Sequence, residues 1–266
     1  MRVESNVQYH VHLRPEDIGK YVLLPGDPGR CKLIASYFDT PRFIVSNREY
    51  TTYTGTLLGE PVSVTSTGIG SPSTAIAVEE LIKLGAHTFI RVGTAGVVQD
   101  DDYHGDLAIV TGAIRDEGTT SQYLPIEYPA IANLDVVIAL RSAAIRSGLP
   151  YHVGVSHSKD SFYAEIEPAR MPISGHLLSR WKAWKDGGAI CSEMESSALF
   201  IIAGIHRKRA GGVMLIIGDP TEKFEPPDEG ARLDALLDIN RSIRVGVEAM
   251  KLLIEQDRQA QTPDSH

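Results

Sequence analysis

What the chain has little of narrows its class first. Two of its 266 residues are cysteines, Cys31 and Cys191. Neither sits in a C-x-x-C pair or a Cys/His cluster with metal spacing, which excludes a disulfide framework and a zinc module and leaves no metal to expect. A reducing, cytoplasmic setting follows. Basic residues are outnumbered, 26 Lys and Arg against 34 Asp and Glu, for a formal net charge of −8. A broad nucleic-acid or anionic-membrane surface needs an excess of positive charge, so neither partner is expected. No run of about 18 apolar residues occurs that could cross a membrane. The start of the chain, from Met1 to Leu13, lacks the basic-then-apolar pattern of an export signal. Internal repeats, linkers and the G-x-x-x-x-G-K-[ST] phosphate loop are also missing. What is there, 42% hydrophobic and 23% charged residues, is the balance of a soluble globular protein with an ample core.

Short β-branched runs alternate with longer helical stretches, and Gly or Pro marks each switch. Strands are expected at Tyr21 to Leu24, Val62 to Ser66, Thr88 to Val92, Leu107 to Thr111, Tyr151 to Ser156 and Gly212 to Ile217. Apolar residues at helical spacing predict helices over Arg30 to Phe38, Thr74 to Leu84, Leu134 to Ser147, Pro172 to Lys185, Glu193 to His206 and Asp234 to Gln256. Strands separated by helices of this length predict a single α/β domain over residues 1–266. Its central mixed β-sheet is flanked by helices on both faces, with functional groups at the strand ends. Both ends, about 1–9 and 256–266, read as flexible.

Several turns could carry chemistry. Gly68-Ile69-Gly70 follows a strand and precedes a helix, but Ser73 stands where a dinucleotide loop needs its third glycine. Gly26 with Arg30, and Arg91 in Arg91-Val92-Gly93-Thr94, place glycines and guanidinium groups at strand ends, the ingredients of a small oxyanion site. Arg30 could instead only snorkel from its helix, but a charge inside the apolar run Thr88 to Val92 must find a partner. Glu193-Met194-Glu195 opens an apolar helix. It reads either as an acidic first turn suited to the helix dipole or as a carboxylate for sugar hydroxyls with Met194 against the sugar's apolar edge. The run Asp100-Asp101-Asp102 reads as a solvated loop.

These motifs occur together in a known order. Leu24-Pro25-Gly26-Asp27-Pro28 with Arg30, Ser66-Thr67-Gly68-Ile69-Gly70 with Pro72-Ser73, Phe89-Ile90-Arg91-Val92-Gly93-Thr94, Asp160-Ser161-Phe162-Tyr163 and Glu193-Met194-Glu195-Ser196 resemble the nucleoside phosphorylase-I family over roughly residues 7–250. The segment between Phe162 and Glu193 is most like that of uridine phosphorylases. The resemblance implies a pentosyltransferase of nucleoside catabolism and salvage: nucleoside plus orthophosphate gives free base plus ribose 1-phosphate, with orthophosphate as co-substrate and no cofactor. It implies that Gly26, Arg30, Arg91 and Thr94 hold phosphate, with Arg48 of a neighbouring subunit. Met194 and Glu195 would hold the ribose, His10 of the neighbour would reach its 5′-hydroxyl, and Phe162 would stack beside ribose and base. A homodimer is then the minimal active unit and a hexamer, as a trimer of dimers, the expected assembly.

The chain departs from uridine phosphorylases at the base end. Glu165 stands where they carry a Gln, Arg170 matches their arginine, and Asp219, in Gly218-Asp219-Pro220, replaces an Asn. An ionised carboxylate only accepts hydrogen bonds, whereas an amide also donates. Asp219 reads either as an ordinary turn residue or as the general acid that purine-specific relatives aim at the leaving base. Uridine is the expected substrate, and a purine nucleoside such as inosine, guanosine or adenosine is the alternative. A binding protein without turnover and a hydrolase that uses water are disfavoured, because neither needs Arg30 and Arg91.

Overall fold

Alternation along the strands sorts their side chains between two cores. The computed structural model describes residues 6–100, 105–217 and 229–261, the side chains of 229–238 and 261 excepted. In strand β1 (Tyr21–Leu24) Leu23 faces one core while Val22 and Leu24 face the other, and β5 (Thr88–Val97) splits Ile90 and Val92 from Phe89 in the same way. Both faces of these strands are covered, so apolar residues line both sides, and Arg91 is the one charge within them.

The first core is closed by α1 (Gly29–Ala35), α3 (Leu134–Ser147) and α7 (Glu229–Gln261), and the second by α2 (Ser71–Lys83) and α6 (Ser196–Ile205). One mixed ten-stranded sheet lies between them. Besides β1 and β5 it contains β2 (Asp39–Asn47), β3 (Tyr50–Leu57), β4 (Glu60–Thr65), β6 (Leu107–Asp116), β7 (Ala130–Ile131), β8 (Tyr151–Lys159), β9 (Cys191–Glu193) and β10 (Arg209–Ile216). Strand β5 is the junction: it pairs in parallel with β1 and β10 and antiparallel with β9. Through β10–β6, β6–β8 and β8–β9 pairings the sheet closes on itself around β5, and β4, β3 and β2 extend outward from β1.

The expected mixed α/β architecture is what forms, with three departures. The β2–β3 hairpin is absent from the sequence reading, because its turn, Arg48-Glu49, carries none of the glycine that marks two-residue hairpins. Several strands run longer than their apolar core, β5 to Val97 and β8 to Lys159. The helix expected from Glu193 begins instead at Ser196. Glu193 closes β9, and Glu195 is the residue capping α6, with φ −133°. The acidic-first-turn reading of these carboxylates is therefore corrected: they lie before the helix, where the sheet meets it.

Candidate active site

Parallel pairing of β1 with β5 sets Leu24 opposite Arg91, so the turn after β1 and the end of β5 open at one place. From β1 the chain turns through Gly26 into α1, where the Asp27 carboxylate accepts from the Gly29 N–H at 2.8 Å. The loop after β4 joins it, Thr67 donating its N–H to the Pro25 carbonyl at 2.9 Å. Arg30, Arg91, Gly26 and the Gly68–Gly70 loop are thereby gathered from three strand ends.

Arg91 is 5% exposed, and its two neighbours explain how a charge survives there. Its Nε donates to Glu193 Oε2 at 3.2 Å, and its Nη2 pairs with Glu195 Oε2. The third nitrogen, Nη1, is buried without a hydrogen-bond partner among the described residues. A Cβ at position 26 would sit 3.9 Å from Nη1 and 3.2 Å from the Gly68 carbonyl, so the absent side chain of Gly26 is what leaves space in front of that donor. Gly93 serves the guanidinium similarly, since a Cβ there would lie 3.1 Å from Nη2. Arg30 is mostly buried, its Nε 3.8 Å from the exposed Asp27 carboxylate. Burial, and then the nearby Arg91 charge working against the help of Asp27, lowers its pKa. Two guanidinium groups that feel each other beside an unused buried donor describe a place for an anion. Thr94 follows on β5, half-buried.

Glu193 links this site to α6. Its fully buried carboxylate accepts from the Glu195 and Ser196 N–H groups, both at 2.9 Å, and from the Ser156 and Ser158 hydroxyls of β8. Burial opposes its ionisation, but Arg91 and these donors win and hold its pKa below the ordinary range. Glu195 is pushed the other way, by burial and by the adjacent Glu193 against the pull of Arg91. Glu195 Oε1 accepts from the Gly70 N–H at 2.7 Å, which leaves acceptor capacity for a further hydroxyl. Met194, half-buried, stands between the two carboxylates.

His10 and Arg48 are presented together. The His10 ring lies 2.7 Å from Glu80 Oε1, Glu80 also accepts the His10 and Val11 N–H groups, and the Asn47 amide donates to the His10 carbonyl at 2.7 Å. Arg48, next in sequence, is exposed and held at φ +54°, a turn conformation that glycine adopts far more readily. Such strain needs a reason.

At the expected base end, Phe162 and Tyr163 open α4 (Phe162–Ile166) with exposed rings at 5.5 Å, edge to face. Arg170 is exposed and paired with Glu167. Glu165 is not brought out beside them. Its side chain is 5% exposed, with Lys159 Nζ at 3.0 Å, His157 Nδ1 at 3.2 Å and the Ser192 hydroxyl donating at 2.6 Å. Burial opposes its charge, but His157 and Lys159 overcome that and lower its pKa. Asp219 lies outside the described residues, as do Asp101 and Asp102, while Asp100 pairs with Lys185.

Sequence reasoning missed Glu80, Glu193 as the partner of Arg91, and the cluster around Glu165. For the last a signal existed: His157 and Lys159 alternate with Ser156 and Ser158 along β8, so one strand sends charges to one face and hydroxyls to the other.

Comparison with known proteins bears on this geometry. The family described as the phosphorylase superfamily matches residues 20–239. A uridine phosphorylase of Treponema pallidum is 49% identical over 95% of this chain and 96% of its own length. One from Thermococcus kodakarensis is 42% identical over 97% of this chain and 91% of its own. A guanosine phosphorylase of Halorubrum lacusprofundi is 34% identical over 92% of this chain and 99% of its own.

Proposed function

Because this chain belongs to the phosphorylase superfamily, we propose that it cleaves uridine with orthophosphate, releasing uracil and ribose 1-phosphate. The observation that carries this reading is the buried Nη1 of Arg91, unpartnered among the described residues and facing the space that Gly26 leaves open. A protein that only bound nucleosides, or that used water, would gain nothing from a desolvated guanidinium donor kept free.

In this reading orthophosphate lies against Arg91, Arg30, the Gly26 backbone and Thr94, with Arg48 of a neighbouring subunit completing its shell. Glu195 accepts from the 2′- and 3′-hydroxyls, Met194 packs on the ribose, the neighbour's His10 meets the 5′-hydroxyl and Phe162 covers the sugar and base. A phosphate oxygen then attacks C1′ as the bond from C1′ to the base breaks. The bonding pair leaves with uracil, which ends with the proton that hydrogenphosphate gives up on becoming the ester, and the developing positive charge on the ribose is balanced by the phosphate oxygens. No protein nucleophile or cofactor takes part. Glu193 holds Arg91 in place, a task separate from the chemistry. The dimer is the minimal active unit because Arg48 and His10 are supplied across an interface, and a hexamer of three such dimers is the proposed assembly. Buried, unpaired Cys31 and Cys191 fit a reducing cytoplasm.

The likeness to a guanosine phosphorylase favours a purine nucleoside as the second reading. One assay separates these: uridine, thymidine, inosine and guanosine, each with and without orthophosphate, following base release. Phosphate-dependent cleavage led by uridine is expected. Purine-led cleavage would move the assignment to the second reading, and release indifferent to phosphate would overturn both.

A further inference from the structure

The cluster that holds Glu165 has no part in the reaction as described, yet it sets a carboxylate against each ring nitrogen of a buried histidine. His157 Nε2 lies 2.9 Å from Asp116 Oδ2 at the end of β6, and its Nδ1 lies 3.2 Å from Glu165 Oε2 on α4. A carboxylate in this network, already ionised by its cationic neighbours, only accepts hydrogen bonds. The one other polar atom near Nδ1, Ser192 Oγ at 3.1 Å, donates its single proton to Glu165 and accepts from Lys159 Nζ at 2.7 Å. With the Ser192 hydroxyl directed to Glu165, neither ring nitrogen has a donor facing it, and the arrangement favours a proton on each.

Every element packed on the ring contributes to this balance. Asp116 comes from β6 and pairs with Arg180 of α5 (Ser174–Asp186), Lys159 lies two residues along β8, Ser192 is on β9 and Glu165 on α4. The rings of Trp181 and Trp184, also on α5, lie at 6.0 and 6.1 Å. With His157 protonated, two carboxylates face three cations. Without its proton, His157 no longer attracts Glu165, and the tie of α4 to the sheet is left to Lys159 and Ser192 alone. Helix α4 has five residues, and the buried Glu165 side chain ties it to β8 and β9.

We propose that protonated His157 is a positioning residue that clamps Glu165 and so sets α4, with Phe162 at its start, over the nucleoside subsite. Nucleoside binding then weakens as the ring loses its proton, while the phosphate site on the far side of Glu193 is unaffected. The inference rests on the uridine reading above for the role of Phe162. It also gives the carboxylate at position 165 a purpose that an amide would not serve, since a neutral Gln cannot hold a proton on His157.

The chain supplies its own probe, because Trp181 and Trp184 are its two tryptophans and a protonated imidazole close to an indole quenches its emission. The test compares wild type with His157→Gln, which keeps donors but cannot titrate, and with Glu165→Gln. Tryptophan emission and steady-state KM for uridine and for phosphate are followed from about pH 6 to about pH 8.5. In wild type, emission is expected to rise with pH, with KM for uridine increasing about tenfold through the same midpoint and KM for phosphate flat. In Glu165→Gln the midpoint falls, and in His157→Gln both transitions vanish and KM for uridine stays high. A wild-type emission transition with no accompanying change in KM for uridine overturns the clamp and leaves the uridine reading standing. So does a His157→Gln profile that parallels wild type, or, if that variant does not fold, an unshifted midpoint in Glu165→Gln. Absence of any phosphate-dependent cleavage of uridine sinks the clamp together with the reading on which it rests.

Discussion

A guanidinium offers five N–H donors in a fixed fork, and in Arg91 the buried carboxylates of Glu193 and Glu195 engage Nε and Nη2 while Nη1 stays free. That division of labour makes Arg91→Lys a sharp substitution, since a single ammonium cannot hold two carboxylates and an anion at once. The variant is expected to lose about 100-fold in kcat/KM for phosphate, the scale of one preorganised donor lost from a dry site, read by varying phosphate at saturating uridine. An unchanged kcat/KM for phosphate would show that the anion lies elsewhere. Removing the charge with Arg91→Ala should also destabilise the fold by about 3–5 kcal/mol, because two buried carboxylates are left unpaired, as chemical denaturation would report. Arg91 was legible in the sequence as a charge inside an apolar run. Glu193 was not, because the pattern Glu-x-Glu before an apolar stretch is equally that of a helix start, and only the register of β9 against β5 and β8 puts it beneath the guanidinium.

At the scale of elements, the strands buried on both faces and the amphipathic helices were readable from periodicity, and the β2–β3 hairpin was not. Its turn holds Arg48 at φ +54° where glycine would mark the hairpin. If the strain is kept so that Arg48 can reach a neighbouring subunit's phosphate, Arg48→Asn, which tolerates the same backbone, separates stability from function. Thermal unfolding should change by no more than about 0.5 kcal/mol while KM for phosphate rises at least severalfold, and a variant with wild-type KM would free Arg48 from any role. The short α4 belongs to the same class of hidden features. Its aromatic start was visible, but the inward turn of Glu165 depends on His157 and Lys159 arriving from β8, a pairing that no local pattern announces.

Across the whole molecule, ionisation sets the working range. Burial opposes charge on His157, but Asp116 and Glu165 outweigh it and raise its pKa. The stability it contributes is therefore complete below the ordinary histidine value of about 6.5 and is lost as pH rises through the raised one. Asp116, Glu165 and Asp257 are lowered despite burial, by His157, by His157 with Lys159, and by Arg209 with Tyr21 respectively. Their contribution is present above about pH 4 and fades as pH falls through the lowered values. Calorimetry across pH should thus show a plateau bounded on both sides, and a melting temperature that keeps rising above neutrality would contradict it. If, as proposed, a neighbour's Arg48 and His10 complete the site, specific activity should fall on dilution below the dimer dissociation constant. The formal net charge of −8 is no obstacle to binding a dianion, since Arg30 and Arg91 supply a local field that the total conceals. The most direct test follows that dianion itself, by phosphorus NMR of orthophosphate incubated with uridine and enzyme. The orthophosphate signal is expected to be replaced by that of a sugar phosphate monoester, mole for mole with uracil, and Arg91→Lys to slow this conversion. Uracil appearing while orthophosphate stays unconsumed would contradict it.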